Sequence, residues 1–372
     1  MAVGWHWDEA YAWHDTGAGA AFLPAGGLIQ PGLTNAESAL SKTRFRDLVA
    51  RSGLLDLLVA IPGRDATEEE LRRLHPPEHL RHLKAVSDAG GGEAGENTPI
   101  GPGSYEIAVR AAGGAIATVE AVVDGTVDQA YALVRPPGHH AEAALARGYC
   151  LLANTALAVA HASQALGVER VAVVDWDVHH GNGTEDLFYA DDTVLTVSLH
   201  ADELYPPGRG HLADRGTGAG TGYNLNVPLP EGSGAGAYLA AMGQVVGPAL
   251  RRFSPDLIVV ASGLDASALD PLGRQVLHSD AYRRMTEVLL DVAASCCEGR
   301  LACIHEGGYS EAYVPFCGVA VLEAMLGESR VEDPFLPYLA PRPAQALQAH
   351  QQAVIDRAAA LVDAMPDRAR LP

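Results

Sequence analysis

The chain has 372 residues, 48% hydrophobic and 19% charged, a balance that suits a large buried core and excludes a disordered chain. Its 26 Lys and Arg against 46 Asp and Glu give a formal charge of −20, which repels phosphate backbones and argues against nucleic acid or anionic membranes as partners, though acidity also serves solubility alone. No stretch approaches the ~20 apolar residues that span a bilayer and no basic-then-apolar leader opens the chain, so a cytoplasmic location is expected.

No linker or repeat divides residues 1–372, and one domain is expected. Five cysteines without CxxC spacing predict reduced, mostly buried thiols rather than disulfides or a cysteine zinc site. Glycine-rich stretches at 88–104 and 206–222 carry no helix or strand pattern and are expected to be functional walls or lids. Apolar, β-branched runs recur at 130–134, 171–174, 194–199, 257–261 and 301–304, with helix-like segments at 154–165 and 235–252 between them. Continuous hydrophobic strands separated by helices predict a parallel sheet covered on both faces, a three-layer α/β architecture. The tail, 343–364, is an amphipathic helix expected to serve packing or an oligomer contact.

In such sheets ligands bind beyond the carboxyl ends of the strands, and the unusual polar groups all fall there. Arg135 to His140 follow the first run, Asp175 to Asn182 the second, His200 the third, Gly263 to Asp265 the fourth and Glu306 to Tyr309 the fifth. Asp175, Asp177 and His179 alternate, which on an extended strand would place them on one face. Asp177 and His179 offer oxygen and nitrogen at i and i+2, and Asp265 adds a carboxylate from a neighbouring strand end. Three protein ligands with an open fourth position describe a catalytic zinc site. A lone Asp or His at a strand end is ordinarily a cap. Recurrence on adjacent strands, with tandem histidines that are costly to bury unpaired, favours positioned chemistry.

The segments Pro136-Pro-Gly-His-His140, Asp175-Trp-Asp-Val-His-His-Gly-Asn-Gly-Thr184, Ser198-Leu-His200, Gly263-Leu-Asp265 and Glu306-Gly-Gly-Tyr309 resemble the zinc-dependent histone deacetylase superfamily, in its bacterial class II-like amidohydrolase branch. The resemblance runs from the Trp-rich N-terminus to about Leu326. It implies an arginase/deacetylase-like fold with a central, mostly parallel eight-stranded sheet and hydrolysis of acyl amides on lysine-type amines. It implies zinc on Asp177, His179 and Asp265, His139 and His140 beside the attacking water, and Tyr309 across from them. Asp175 would accept from His139 and Asn182 from His140, with His140 as general base and later acid. Gly148, Tyr149 and Tyr205 would line the substrate channel, where most relatives carry phenylalanine. Leu272 would sit at a rim position where a polyamine-deacetylating relative is acidic. Potassium is implied at an inner site (Asp175, Asp177, His179, Ser198, Leu199) and an outer one (Phe188, Asp191, Val194, Tyr223).

Glu93 and Glu96 fall where relatives use an aspartate to hold substrate, but solvated glutamates are the simpler reading, as is an inert wall thiol for Cys150. A binuclear manganese site of the arginase type would need an Asp-x-His-x-Asp pattern, and Asp177-Val-His179 continues with His180-Gly181. A non-enzymatic binding module would have lost a ligand, a histidine or the tyrosine. The expected substrate is an acylated lysine peptide or protein, with a small acylamine or acetylpolyamine as the alternative. Homo-oligomers are expected from the family.

Overall fold

The structure, a computed structural model, describes residues 2–366 apart from 21–22, 25, 28–29 and 31–33. Its centre is a sheet of eight strands: β1 (Val3–His6), β2 (Val59–Ala60), β3 (Gln129–Ala132), β4 (Val171–Asp175), β5 (Val194–Ala201), β6 (Asn224–Leu229), β7 (Leu257–Ser262) and β8 (Leu301–His305). They lie in the order β6-β5-β4-β7-β8-β3-β1-β2, and each pairing is parallel. The runs of Val, Ile, Leu and Ala are buried on both faces because successive side chains point to opposite layers. Val173 and Val259 pack with Ile116 and Leu157 on one side, while Val174 and Val260 pack with Met242, Tyr282 and Leu289 on the other.

The helices supplying those layers are α1 (Ser104–Val123) and α2 (Asn154–Ala165) on the first side, α3 (Ser279–Cys296) and α4 (Val314–Leu326) on the second. From β4 the chain builds outward through β5 to β6, then crosses back to lay β7 on the other flank of β4. Loops leaving β4 and β7 therefore diverge, and the crevice between their carboxyl ends is where ligands bind in such sheets.

The five expected strands are all present, extended by one to two residues or shifted at their ends. Three further strands carry no long apolar run: β1 holds a glycine, β2 has two residues, and β6 reads Asn-Leu-Asn-Val-Pro-Leu, which resembles loop composition. The segment at 235–252 is helical, but a π turn at Met242–Val246 joins Ala235–Ala241 to Gly247–Phe253. Pro248 has no N–H to donate back into the preceding turn, and the widened register lies immediately before it. Within 88–104 a short antiparallel hairpin pairs Gly92–Glu93 with Pro99–Ile100, and 206–222 holds one 3-10 turn at Gly218–Gly220. The tail, expected as one helix over 343–364, forms a 3-10 turn at Pro343–Gln345 and then a helix over Ala349–Asp363, started by a Gln348–Gln351 capping box.

Candidate active site

β4 ends at Asp175 and the chain bends through the next residues, so the alternation expected to align Asp175, Asp177 and His179 on one strand face does not hold. Local carboxylate-to-backbone bonds do the aligning instead. The Asp177 amide donates to Asp175 Oδ1 at 3.0 Å and the His179 amide to Asp177 Oδ1 at 2.9 Å, the bends that short acidic side chains impose on their own backbone. Asp265 reaches in from β7, and its Oδ1 accepts from the Val178 amide at 2.8 Å.

Donor atoms of Asp177, His179 and Asp265 all lie within 4.8 Å of one another, and all three residues are buried. His179 Nδ1 is 3.0 Å from Asp177 Oδ1 and 3.2 Å from Asp265 Oδ2. Asp265 Oδ2 is buried and accepts no well-aligned hydrogen bond from a described residue. Burial, reinforced by the charge of Asp177, pushes the Asp265 carboxyl up to about 7. Burial opposes the charge of His179, but the carboxylates of Asp177 and Asp265 close beside it outweigh that and drive it up to about 10. A buried Asp265 carboxylate raised by burial and by its Asp177 neighbour is what a divalent cation would relieve, and the O, N, O donor set suits zinc. Gly307 keeps the space: a Cβ there would stand 2.1 Å from Asp265 Oδ2 and 2.6 Å from Asp177 Oδ2.

The tandem histidines enter on the loop after β3, their rings 4.0 Å apart. His139 Nδ1 donates to Asp175 Oδ2 at 2.9 Å and His140 Nδ1 meets Asn182 Oδ1 at 2.8 Å. Their environments separate them. Against the burial that opposes its charge, His139 is held well above its ordinary value by Asp177 and Asp175; His140 is held well below by burial and by the charges of His139 and His179. The carboxylate partner favours the charged form of His139, and burial among like charges favours the neutral form of His140.

Glu306, quoted in the sequence only as part of a motif, anchors this loop. Its Oε2 accepts from the amides of Gly138 at 2.6 Å and His139 at 3.0 Å, and its Oε1 from Thr155 Oγ1 at 2.7 Å. A buried acid after an apolar strand was the available signal. Asp270 does similar work on the far wall, taking the amides of Leu272 and Gly273 on Oδ1 and those of Tyr309 and Ser310 on Oδ2. A third brace comes from the N-terminal region. Glu37 pairs with Arg135 at 2.8 Å and Lys42 at 3.0 Å, all buried, while Lys42 Nζ and Ser41 Oγ donate to the Gly308 carbonyl at 3.2 and 2.8 Å. Lys42 Nζ also stands 5.3 Å from the centre of the Tyr309 ring.

His140, Gly148, Tyr149, His179, Tyr205, Leu272 and Tyr309 line one narrow pocket. Tyr205 meets His140 edge-on with ring centres 5.0 Å apart, and Tyr149 faces Tyr309 at 6.1 Å. Gly148 has φ +53°, and a Cβ there would come within 2.6 Å of His140 and 2.9 Å of Tyr205. Burial, then the nearby Asp265 and Asp177, hold the Tyr309 hydroxyl well above its ordinary value, so it keeps its proton. The channel residues expected from sequence thus meet in one place.

Glu93 and Glu96 do not reach the channel. Glu93 takes the Thr98 amide inside the hairpin, and the exposed Glu96 pairs with Arg147 at 3.0 Å. Cys150 is fully buried behind His140. Asp175 and Ser198 are register partners lining a small cavity with Glu185, Asn224 and Asn226. Of the outer set, Phe188 ends the helix Asn182–Phe188, Val194 opens β5, Tyr223 immediately precedes β6, and the Asp191 carboxylate is taken by Thr193. A larger groove lies elsewhere, between α3, α4 and residues 329–341, where Arg283 and Glu323 pair with each other.

A metal-competent trio, two histidines of opposite charge preference and a protonated tyrosine around a narrow channel define an amide-hydrolysing enzyme of the deacetylase class. The comparisons agree: the histone deacetylase domain model matches residues 37–325. Over 335 residues the chain is 49% identical to a histone deacetylase-like amidohydrolase of Pseudomonas aeruginosa, covering 89% of this chain and 88% of that one. It is 35% identical over 279 residues to the human polyamine deacetylase HDAC10, covering 72% of this chain and 41% of that one. The fold matches the crystal structure of the HDA15 HD domain with a TM-score of 0.85 at 30% identity, covering 97% and 94% of the two chains. The chain belongs to the histone deacetylase family.

Proposed function

We propose that this enzyme removes acetyl or related acyl groups from lysine-type amines, with zinc held by Asp177, His179 and Asp265. The observation that carries the reading is the geometry: tandem histidines, one bonded to a carboxylate and one to an amide, stand beside a buried trio of donor atoms within 4.8 Å of one another. Zinc bound there supplies Lewis acidity to the amide carbonyl and lowers the pKa of water toward ~7. His140, neutral and facing the channel, takes the proton from the attacking water and later gives it to the departing amine. His139 stays charged on Asp175, orienting its neighbour and stabilising negative charge. The Tyr309 hydroxyl donates to the carbonyl oxygen as charge builds on it, a contribution of ~3 kcal/mol for one such donor. Tyr149 and Tyr205 flank the methylenes of the substrate stem.

Protein or peptide substrates are favoured over acetylpolyamines because Leu272 at the mouth offers no charge to a second ammonium group. Potassium at the inner and outer positions, a single domain over 1–372, a cytoplasmic location and homo-oligomers complete the reading. Family resemblance supports the potassium and the oligomers, the five unpaired cysteines the location. Acetate release from an acetyl-lysine peptide, acetylspermidine and small acylamines, with Tyr309→Phe as control, tests it. Peptide cleavage that drops on the order of 100-fold in Tyr309→Phe is expected. Cleavage of small amines alone would move the substrate class to the alternative, and no cleavage of any amide would overturn the proposal.

A further inference from the structure

Asn182 meets His140 with one end of its amide, and the other end has a partner not used by the mechanism. Asn182 Nδ2 donates to Glu142 Oε1 at 3.0 Å, and at a weaker 3.4 Å to the His140 carbonyl. Glu142 is itself fixed. Its amide donates to the Leu145 carbonyl at 3.0 Å, and Arg147 Nε stands 3.5 Å from its carboxylate while reaching Glu96 with NH2 at 3.0 Å. Its side chain is 23% exposed, so the carboxylate sits at the edge of the site beside Arg147.

The Glu142 carboxylate oxygen accepts here, and an amide side chain has one donating and one accepting end. Glu142 therefore dictates which end of Asn182 turns outward. With Nδ2 on Glu142, Oδ1 must face His140 Nδ1, and at 2.8 Å that nitrogen must carry the ring proton. Turned the other way, Oδ1 would lie 3.0 Å from Glu142 Oε1 with no proton between two acceptors.

We propose that Glu142 is a positioning residue that sets the tautomer of His140: it pins the Asn182 amide, which pins the proton on Nδ1 and leaves Nε2 bare toward the channel. This rests on the proposed role of His140 as the base. It adds a residue from the rim of the site, two positions beyond the tandem histidines, and gives a reason for a neutral amide at 182. A carboxylate there would face Glu142 across 3 Å with no proton to share, so the pair works as carboxylate against amide.

The test follows the proton. In the full-length zinc-loaded protein, labelled with nitrogen-15 histidine, long-range nitrogen–proton NMR correlations report which ring nitrogen is protonated, and the spectrum of His140→Gln assigns the resonance. The wild type is expected to carry the proton on Nδ1. Glu142→Gln should keep it there, because the glutamine oxygen can replace the carboxylate as acceptor. Glu142→Lys should reverse it, since an ammonium group donates to Asn182 Oδ1, turns Nδ2 toward His140 and moves the proton to Nε2. In Glu142→Lys kcat should fall on the order of 10–100-fold with KM little changed, while Glu142→Gln stays near wild type. A His140 tautomer that ignores residue 142, or equal losses in both variants, would overturn the proposal. The deacetylase reading fails separately: a wild type inactive on every amide, yet with a tautomer obeying residue 142, would refute that reading and uphold this one.

Discussion

Replacing Glu306 separates hydrogen bonding from charge in the scaffold of the site. This carboxylate is fully buried, takes two backbone amides on one oxygen and the Thr155 hydroxyl on the other, and is raised to about 7, chiefly by burial. With three donors converging on it, the group contributes chiefly as an acceptor. Glu306→Gln keeps an oxygen over Gly138 and His139 and turns its amide nitrogen to Thr155, whose hydroxyl can rotate to accept. That variant should cost about 1 kcal/mol or less. Glu306→Ala leaves two buried N–H groups without an acceptor at about 1–3 kcal/mol each, plus a cavity, so a loss of about 3–5 kcal/mol is expected. Urea denaturation at pH 7.5, with m-values compared to confirm two-state behaviour, measures both. Catalysis should follow the loop, with kcat near wild type in Glu306→Gln. If the two variants lost equal stability, or if Glu306→Ala lost under 1 kcal/mol, the acceptor argument would be wrong.

Glu37 sits at about 2 because Arg135 and Lys42 outweigh the burial that would raise it, so its folded value lies below its unfolded one near 4.5. Stability from this cluster is present above pH 4.5 and is lost as pH falls toward 2, a change of about 3 kcal/mol that Glu37→Gln should remove from the acid limb of a denaturation series. Gly148→Ala places a methyl against His140 and Tyr205 in a left-handed backbone; thermal melting should register about 1–2 kcal/mol, and peptide turnover should fall far more than that implies. Leu272→Glu puts a carboxylate at the channel mouth, and the ratio of kcat/KM for acetylspermidine over acetyl-lysine peptide should rise about tenfold at low salt and shrink as salt is added. Asp265→Asn removes a charged donor, and zinc retained after dialysis against a chelator should drop while the protein stays folded.

Much of this was legible because strong local chemistry survives without its context. The β-branched runs of β4 and β7 declare buried strands, and the polar groups after them declare a crevice. Asp177 and His179 were read as ligands through an alternation that the backbone does not follow; the short carboxylates that bend the loop also aim it. What escaped depends on distance along the chain. Glu306 bonds to amides 167 and 168 residues away, and Arg135 reaches Glu37 across 98. The asparagines of β6 look like loop residues until Glu185 is seen to take Asn224 and Asn226, both at 2.7 Å. Such partners satisfy each other only in the folded chain, so neither one alone announces a role.

The bracing of Tyr309 divides the enzyme into two unequal dependencies. The metal-competent trio is held by elements from Asp175 onward, whereas the carbonyl of Gly308, next to the tyrosine, hangs on Ser41 and Lys42 near the other end of the chain. Damage confined to that early segment, whether a proteolytic nick or a substitution, can therefore silence turnover while leaving metal affinity whole. Occupancy and competence become independent properties, and a preparation with its metal site filled can still be inert.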